Sequence, residues 1–331
     1  MGLIDSFGRH IDYLRISITD HCNLNCCYCM PLFSGRPHLD QFEILTYEEL
    51  YRLADAAVCA GISKIRITGG EPLVRKWVVD FCRMLGTLPG LESLALTTNG
   101  VYLAKLARSL KKAGVKRVNV SLDTLQRDRF EAITGQDRLN DVLEGIDQSG
   151  AAGFFPVKIN VVVMRGVNDD EIAQLAALTY ERACHVRFIE LMPFQHASFG
   201  EYQDLFMPIG KIIKRIPHIK KAHVGPALET SGPARLCTLP GARGKIGFIA
   251  PMSWHFCGSC NRLRLTADGN IRTCLFSETE IDVKTPLRNG ASKRELLELL
   301  RYAAKTKPQR HHLDRHAGQN HRHRAMHAIG G

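Results

Sequence analysis

Three cysteines spaced as Cys22-x3-Cys26-x2-Cys29 stand directly after the apolar run 13–18. Thiolates this close can hold three corners of an iron–sulfur cube, whose full ligation takes four cysteines. A cube with three protein ligands keeps one iron open to a further molecule, and that turns an electron store into a reaction centre. A structural zinc site is the competing chemistry, with His21 able to close the tetrahedron; a disulfide or buried free thiols are the plainer alternatives. A second trio, Cys257-x2-Cys260-x13-Cys274, has Cys237 upstream as a candidate fourth ligand and a zinc ribbon as its alternative. Within it lies Asn261-Arg-Leu-Arg264, which puts Arg262 and Arg264 beside the site. Guanidinium forks suit phosphate oxygens and purine edges, whereas solvated surface arginines are the bland reading.

The elements that must position these groups follow from periodicity. Strand-like runs at 13–18, 63–68, 92–97, 115–121, 156–163 and 185–191 alternate with helical stretches near 47–60, 74–86, 101–113, 138–152 and 169–182. Thr46-Tyr-Glu-Glu49 has the capping-box pattern for the first helix. Such βα alternation predicts a parallel sheet with right-handed crossovers. Six units are too few for eight-stranded closure, so an α/β partial (β/α)6 TIM-type barrel is expected, with an open doubly wound sheet as competitor. Five strands carry one apolar and one polar face: Leu14, Ile16 and Ile18 oppose Arg15, Ser17 and Thr19, and Ile65 and Ile67 oppose Arg66 and Thr68. Leu94 and Leu96 likewise oppose Thr97 and Asn99, Val118 and Val120 oppose Asn119 and Ser121, and Ile159 and Val161 oppose Lys158 and Asn160. With the apolar faces on the helices, the polar faces line a wet chamber. Gly69-Gly-Glu-Pro72 follows the second strand, where glycines let backbone approach a ligand, although a plain turn would use them too.

From Pro193 the rhythm breaks. A short helical segment near 207–216, strands and turns over 236–290, a helix near 292–305 and a tail rich in His and Arg follow. The expected division is a core over 1–225 and a smaller C-terminal domain over 226–331 carrying the second cluster. The 331 residues are 45% hydrophobic, enough for a sizeable core, and the net charge of +11 favours an anionic partner. Aromatics reach only 7%, which gives little support to nucleic-acid stacking platforms. Eleven cysteines gathered mainly in two motifs, with no apolar leader before them, read as metal ligands in a reducing cytoplasm. No apolar run reaches the roughly 20 residues of a membrane helix.

Taken together, the first trio after one strand and Gly-Gly-Glu-Pro after the next resemble the signature of radical S-adenosylmethionine enzymes. Leu14-Arg-Ile-Ser, Thr19-Asp-His-Cys-Asn-Leu-Asn-Cys-Cys-Tyr-Cys-Met-Pro31, Lys64-Ile-Arg-Ile-Thr-Gly-Gly-Glu-Pro-Leu73, Leu96-Thr-Thr-Asn-Gly100 and Val118-Asn-Val-Ser-Leu-Asp123 follow one another in order. Arg187-Phe-Ile-Glu-Leu-Met192, Phe256-Cys-Gly-Ser-Cys-Asn-Arg-Leu-Arg-Leu265 and the final Gly330-Gly331 complete the series. Together they resemble the molybdenum cofactor biosynthesis protein A family, the GTP 3′,8-cyclases, over nearly the whole chain. The resemblance implies two [4Fe–4S] clusters, on Cys22, Cys26 and Cys29 and on Cys257, Cys260 and Cys274. It implies S-adenosyl-L-methionine as cosubstrate at Tyr28, Gly70, Ser121 and Met192. GTP would bind at Arg15, Arg66, Thr97, Lys158, Arg262, Leu263 and Arg264, with Arg15, Arg262, Arg264, Gly330 and Gly331 in catalytic roles. The implied reaction begins with a 5′-deoxyadenosyl radical removing H3′ of GTP, after which C3′ attacks C8 of guanine. The implied partners are an electron donor and the downstream cyclic pyranopterin monophosphate synthase, with a homodimer left open and no membrane or nucleic acid involved.

Some residues stand outside this pattern. Cys27 interrupts the first motif where the family more often has a polar residue, and the spacing still selects its neighbours. Cys59, Cys82 and Cys184 read as core thiols. Six histidines between 311 and 327 suggest either a metal tract or, given their basic neighbours, a solvated tail. Two competing functions remain: a radical enzyme modifying a peptide or tRNA, and a zinc-stabilised nucleic-acid-binding module.

Overall fold

The computed structural model describes residues 2–29, 38–193, 199–224, 232–277, 279–311 and 326–329. The expected strands form as β1 (Tyr13–Ser17), β2 (Lys64–Thr68), β3 (Ser93–Thr98), β4 (Arg117–Ser121), β5 (Val157–Val163) and β6 (Cys184–Glu190). Successive strands pair in parallel in chain order. Parallel pairs need crossovers, supplied by α1 (Tyr47–Cys59), α2 (Val78–Gly86), α3 (Leu103–Lys112), α4 (Arg127–Thr134), α5 (Leu139–Ala151) and α6 (Ile172–Glu181). The capping box forms: Thr46 Oγ1 accepts from the Glu49 amide at 3.2 Å, and Glu49 Oε2 accepts from the Thr46 amide at 2.7 Å. Helix α4 was not anticipated, because only Phe130, Ile133 and Thr134 of its eight residues are buried and its apolar stripe is faint.

The outward strand faces make the core against these helices. Leu14, Ile16, Ile65, Ile67, Val118, Val120 and Ile159 are wholly buried there. Cys82 and Cys184 join that core as expected, but Cys59 is exposed at the end of α1. That thiol closes the helix's last turn, beyond the stripe formed by Leu50, Leu53, Ala57 and their buried neighbours.

The last third of the chain extends the same sheet at both ends. β7 (Lys245–Ile249) pairs in parallel with β6, and β8 (Arg262–Leu265) pairs in parallel with β1. Among the described residues the parallel order is therefore β8-β1-β2-β3-β4-β5-β6-β7, with short antiparallel strands beyond each edge. A capping box at Ser292 and Glu295 starts α7 (Lys293–Lys305), which packs on α1. No helix among the described residues is long and apolar enough to cross a membrane.

Candidate active site

Inward side chains from β1 to β8 and both cysteine loops line one cavity. The strand directions put the two trios at opposite ends of it. The chain leaves the carboxyl end of β1 into Cys22, whereas Cys260 precedes the amino end of β8, whose Arg262 pairs with Tyr13 at the start of β1. Five residues of strand therefore separate the two ends, a span of about 17 Å.

The first loop is held by the strands beside it. Gly69 has φ +155°, and a Cβ there would stand 2.5 Å from the Thr19 carbonyl oxygen. A Cβ on Gly70 would stand 2.4 Å from the His21 carbonyl oxygen. The glycine pair is thus demanded first by the cysteine loop packing onto it, a nearer contact than the ligand approach expected from sequence. Glu71 is buried and gathers three donors, the Leu73 amide at 2.9 Å, the Thr98 hydroxyl at 2.8 Å and the Asn99 amide at 2.5 Å. Asn99 in turn donates to Asn23 Oδ1 at 2.8 Å and to Cys22 Sγ at 3.8 Å. Tyr28 donates to Asp123 Oδ2 at 2.6 Å, and the Val162 amide donates to Asp123 Oδ1 at 2.7 Å. Cys27 turns away to pack with Ile133, Met164 and Leu191, and burial pushes its thiol up to about 12. His21 faces Asp20 and stacks on His38 at 4.4 Å; it does not line the cavity. Cys237 is buried in the core on strand 235–238 and closes neither trio.

The spacing of the donors bears on the choice between a single ion and a larger group. Four thiolates on one zinc stand about 3.8 Å apart, from Zn–S bonds near 2.3 Å in a tetrahedron. Among the described residues, Asp20, His21 and His38 are the one group of three potential ligands within 4.8 Å of each other, so neither trio is drawn that tight. Thiols spread around a cavity wall fit a larger group. Burial raises the Cys22, Cys26 and Cys29 thiols, with Glu71 adding to the effect at Cys22 and neighbouring thiols at Cys26 and Cys29. Cys260 behaves differently: burial pushes it up, but Arg262 and Lys307 outweigh that and bring it down to about 7.

Between the trios runs a belt of cations. Register places Arg264, Arg15 and Arg66 side by side, and Asn119 beside Lys158. Arg66 donates to Tyr13 OH and, at 3.2 Å, to Thr97 Oγ1. Burial, reinforced by Arg187, Arg117 and Arg66, lowers Lys158 to about 6. Burial and Arg262 lower Arg264 to about 10. Asp123 is the one carboxylate among the described lining residues. Among the described residues, Arg187 Nε, Asn119 Oδ1 and Asn160 Oδ1 are buried without a hydrogen-bond partner, although buried polar atoms are normally satisfied. Positive charge and orphaned polar atoms in one cavity fit a polyanionic ligand.

Of the residues singled out from sequence, all six trio cysteines, Tyr28, Gly70, Ser121, Met192, Arg15, Arg66, Thr97, Lys158, Arg262 and Arg264 line this cavity. Leu263 does not: its side chain is wholly buried in the core, on the opposite face of β8 from Arg262 and Arg264, which leaves its backbone for the expected contact. Gly330 and Gly331 lie outside the described residues, just past a short helix whose Met326 lines the cavity. Arg187, Arg117 and Lys64 also line it and went unassigned. Arg187 was legible in principle, since it alternates with Val186 and Phe188 as Lys158 does with its own neighbours. Of the tail histidines, His311 and His327 are described, and both are half-buried against cysteine loops.

Residues 16–179 match the Radical SAM superfamily, and residues 184–313 match Molybdenum Cofactor Synthesis C. The GTP 3′,8-cyclase of Moorella thermoacetica is 51% identical over 327 residues, covering 99% of both chains. That of Heliobacterium modesticaldum is 49% identical over 332 residues, covering 99% of this chain and 100% of its own. Among solved structures, Streptococcus suis SuiB bound to S-adenosylmethionine shares the fold at a TM-score of 0.64 and 14% identity, over 88% of this chain and 67% of that one. The chain belongs to the GTP 3′,8-cyclases, enzymes of the radical S-adenosylmethionine superfamily that act in molybdenum cofactor biosynthesis.

Proposed function

We propose that this chain converts GTP into (8S)-3′,8-cyclo-7,8-dihydroguanosine 5′-triphosphate, with one cluster on each cysteine trio. The observation that carries the reading is the single cavity with a three-thiol site at either end and a cation belt between them. When bound, the cluster on Cys22, Cys26 and Cys29 with S-adenosyl-L-methionine supplies the hydrogen-abstracting 5′-deoxyadenosyl radical, and the cluster on Cys257, Cys260 and Cys274 offers an open iron to the guanine base. The protein's own residues do the positioning. Arg66, Lys158 and Arg187 hold the triphosphate, Arg15, Arg262 and Arg264 orient the nucleoside, and Thr97 is set by its bond from Arg66. Tyr28, Gly70, Ser121 and Met192 frame the cosubstrate end, and Gly330 and Gly331 keep the catalytic role that the family resemblance gives them. In this reading residues 1–225 supply the first trio, the cosubstrate end and most of the cations that hold GTP, and 226–331 bring the second trio with Arg262 and Arg264.

Orientation matters because a primary alkyl radical attacks whatever lies nearest, and well-oriented placement contributes on the order of 7–11 kcal/mol. Over the cycle GTP loses H3′ and gains one electron and one proton, so the product is an isomer of GTP. An electron donor and the synthase that consumes this product are the partners the chemistry requires. Anaerobic incubation with GTP, S-adenosyl-L-methionine and dithionite should yield 5′-deoxyadenosine together with a chromatographically distinct isomer of GTP. Release of 5′-deoxyadenosine with GTP recovered unchanged would favour a peptide or tRNA substrate instead.

A further inference from the structure

Residues 307–311, which follow α7, touch the second trio from outside both cysteine motifs. Lys307 is only 3% exposed, and no carboxylate stands within ion-pair reach of it among the described residues. Its Nζ donates to the Arg262 carbonyl at 2.9 Å and to the Thr273 carbonyl at 2.6 Å, with the Cys260 side chain beside it. An ammonium has three protons, so with two spent on carbonyls one remains for the Cys260 side. Those carbonyls belong to the residue two after Cys260 and the residue just before Cys274, so one side chain ties together the two segments that carry these ligands.

A buried ammonium is costly unless opposite charge compensates it. Burial works against that charge and the carbonyl dipoles do not cancel it, so the Cys260 and Cys274 sulfurs, thiolates once they hold a metal, are the anions that counter the cost. The rest of the segment is fixed just as closely. Arg9 donates to the Cys257 carbonyl at 2.6 Å, the Pro308 carbonyl at 2.7 Å and the Gln309 carbonyl at 3.0 Å, while it pairs with Asp5. The His311 amide donates to Cys257 sulfur.

We propose that Lys307 is a positioning residue of the second metal centre, whose ammonium, locked by two carbonyls, holds the Cys260–Cys274 side of the site and raises the reduction potential of the cluster bound there. Hydrogen bonds to sulfur and local charge are both determinants of cluster potential. The proposal rests on the two-cluster reading above.

The test compares anaerobically reconstituted parent, Lys307→Met and Lys307→Arg chains by iron analysis, electron paramagnetic resonance and redox titration of each signal. The parent should hold about eight irons, as two cubes require. Lys307→Met should leave the first site's midpoint in place while the second site's midpoint moves to more negative potential, or that signal alone is lost. Lys307→Arg should bring back the iron and move the second midpoint towards the parent value. An unmoved second midpoint in fully loaded Lys307→Met overturns the proposal. So does equal loss of both clusters that Lys307→Arg fails to restore, which would mark a general folding residue. A parent chain with about half that iron would instead overturn the two-cluster reading, and the proposal with it.

Discussion

Lys158 carries the clearest electrostatic consequence of the cavity. Burial and the neighbouring Arg187, Arg117 and Arg66 bring its ammonium to about 6, so it is largely neutral at pH 7.5–8 before an anion arrives. A triphosphate reverses that balance, and binding should take up close to one proton. Calorimetry of GTP binding in two buffers of different ionisation enthalpy should show this uptake, and Lys158→Gln should remove it. The sign for stability follows from linkage: between about 6 and the ordinary lysine range the unfolded chain binds the extra proton. Ligand-free stability should therefore rise with pH through that window, less steeply in Lys158→Gln. Cys26→Ala should remove the first site's iron and S-adenosyl-L-methionine cleavage while the second site stays loaded. At this scale the sequence was readable wherever period-2 alternation separates charge from core, as at Arg15, Arg66 and Lys158. The same alternation sends the Leu263 side chain into the core, so proximity to two arginines says nothing about where that side chain goes.

At the scale of elements, the cysteine loop depends on the turn after β2. Gly70→Ala would drive a Cβ into the Asp20 and His21 carbonyls. The expected outcome is a folded chain, by circular dichroism, with first-site iron reduced by half or more. Glu71→Gln presents an amide group to three donors that now converge on a carboxylate, which should cost about 1–3 kcal/mol. A thermal melt of the ligand-free chain checks it, and an unchanged midpoint would mean that those three bonds contribute nothing. Strands, crossover helices and the capping box at Thr46 were legible, since each has its own local signal. Helix α4 lacked an apolar stripe long enough to announce itself, and the packing role of Gly69 and Gly70 depends on a contact across some fifty residues of sequence.

At the scale of the whole molecule, the feature hidden from the sequence is that the last third of the chain builds both edges of the sheet. β7 and β8 are short runs whose pairing with β6 and β1 is long-range, so no local pattern reveals it. That pairing sets the trios at opposite ends of the strands, facing each other across the cation belt. The central claim is that this spacing holds GTP with its ribose C3′ against the cosubstrate. The most direct test is anaerobic turnover with GTP deuterated at C3′, followed by mass analysis of the 5′-deoxyadenosine. One deuterium in the 5′-deoxyadenosine and its loss from the cyclised nucleotide is the predicted result. Unlabelled 5′-deoxyadenosine beside a nucleotide that keeps its deuterium would contradict it.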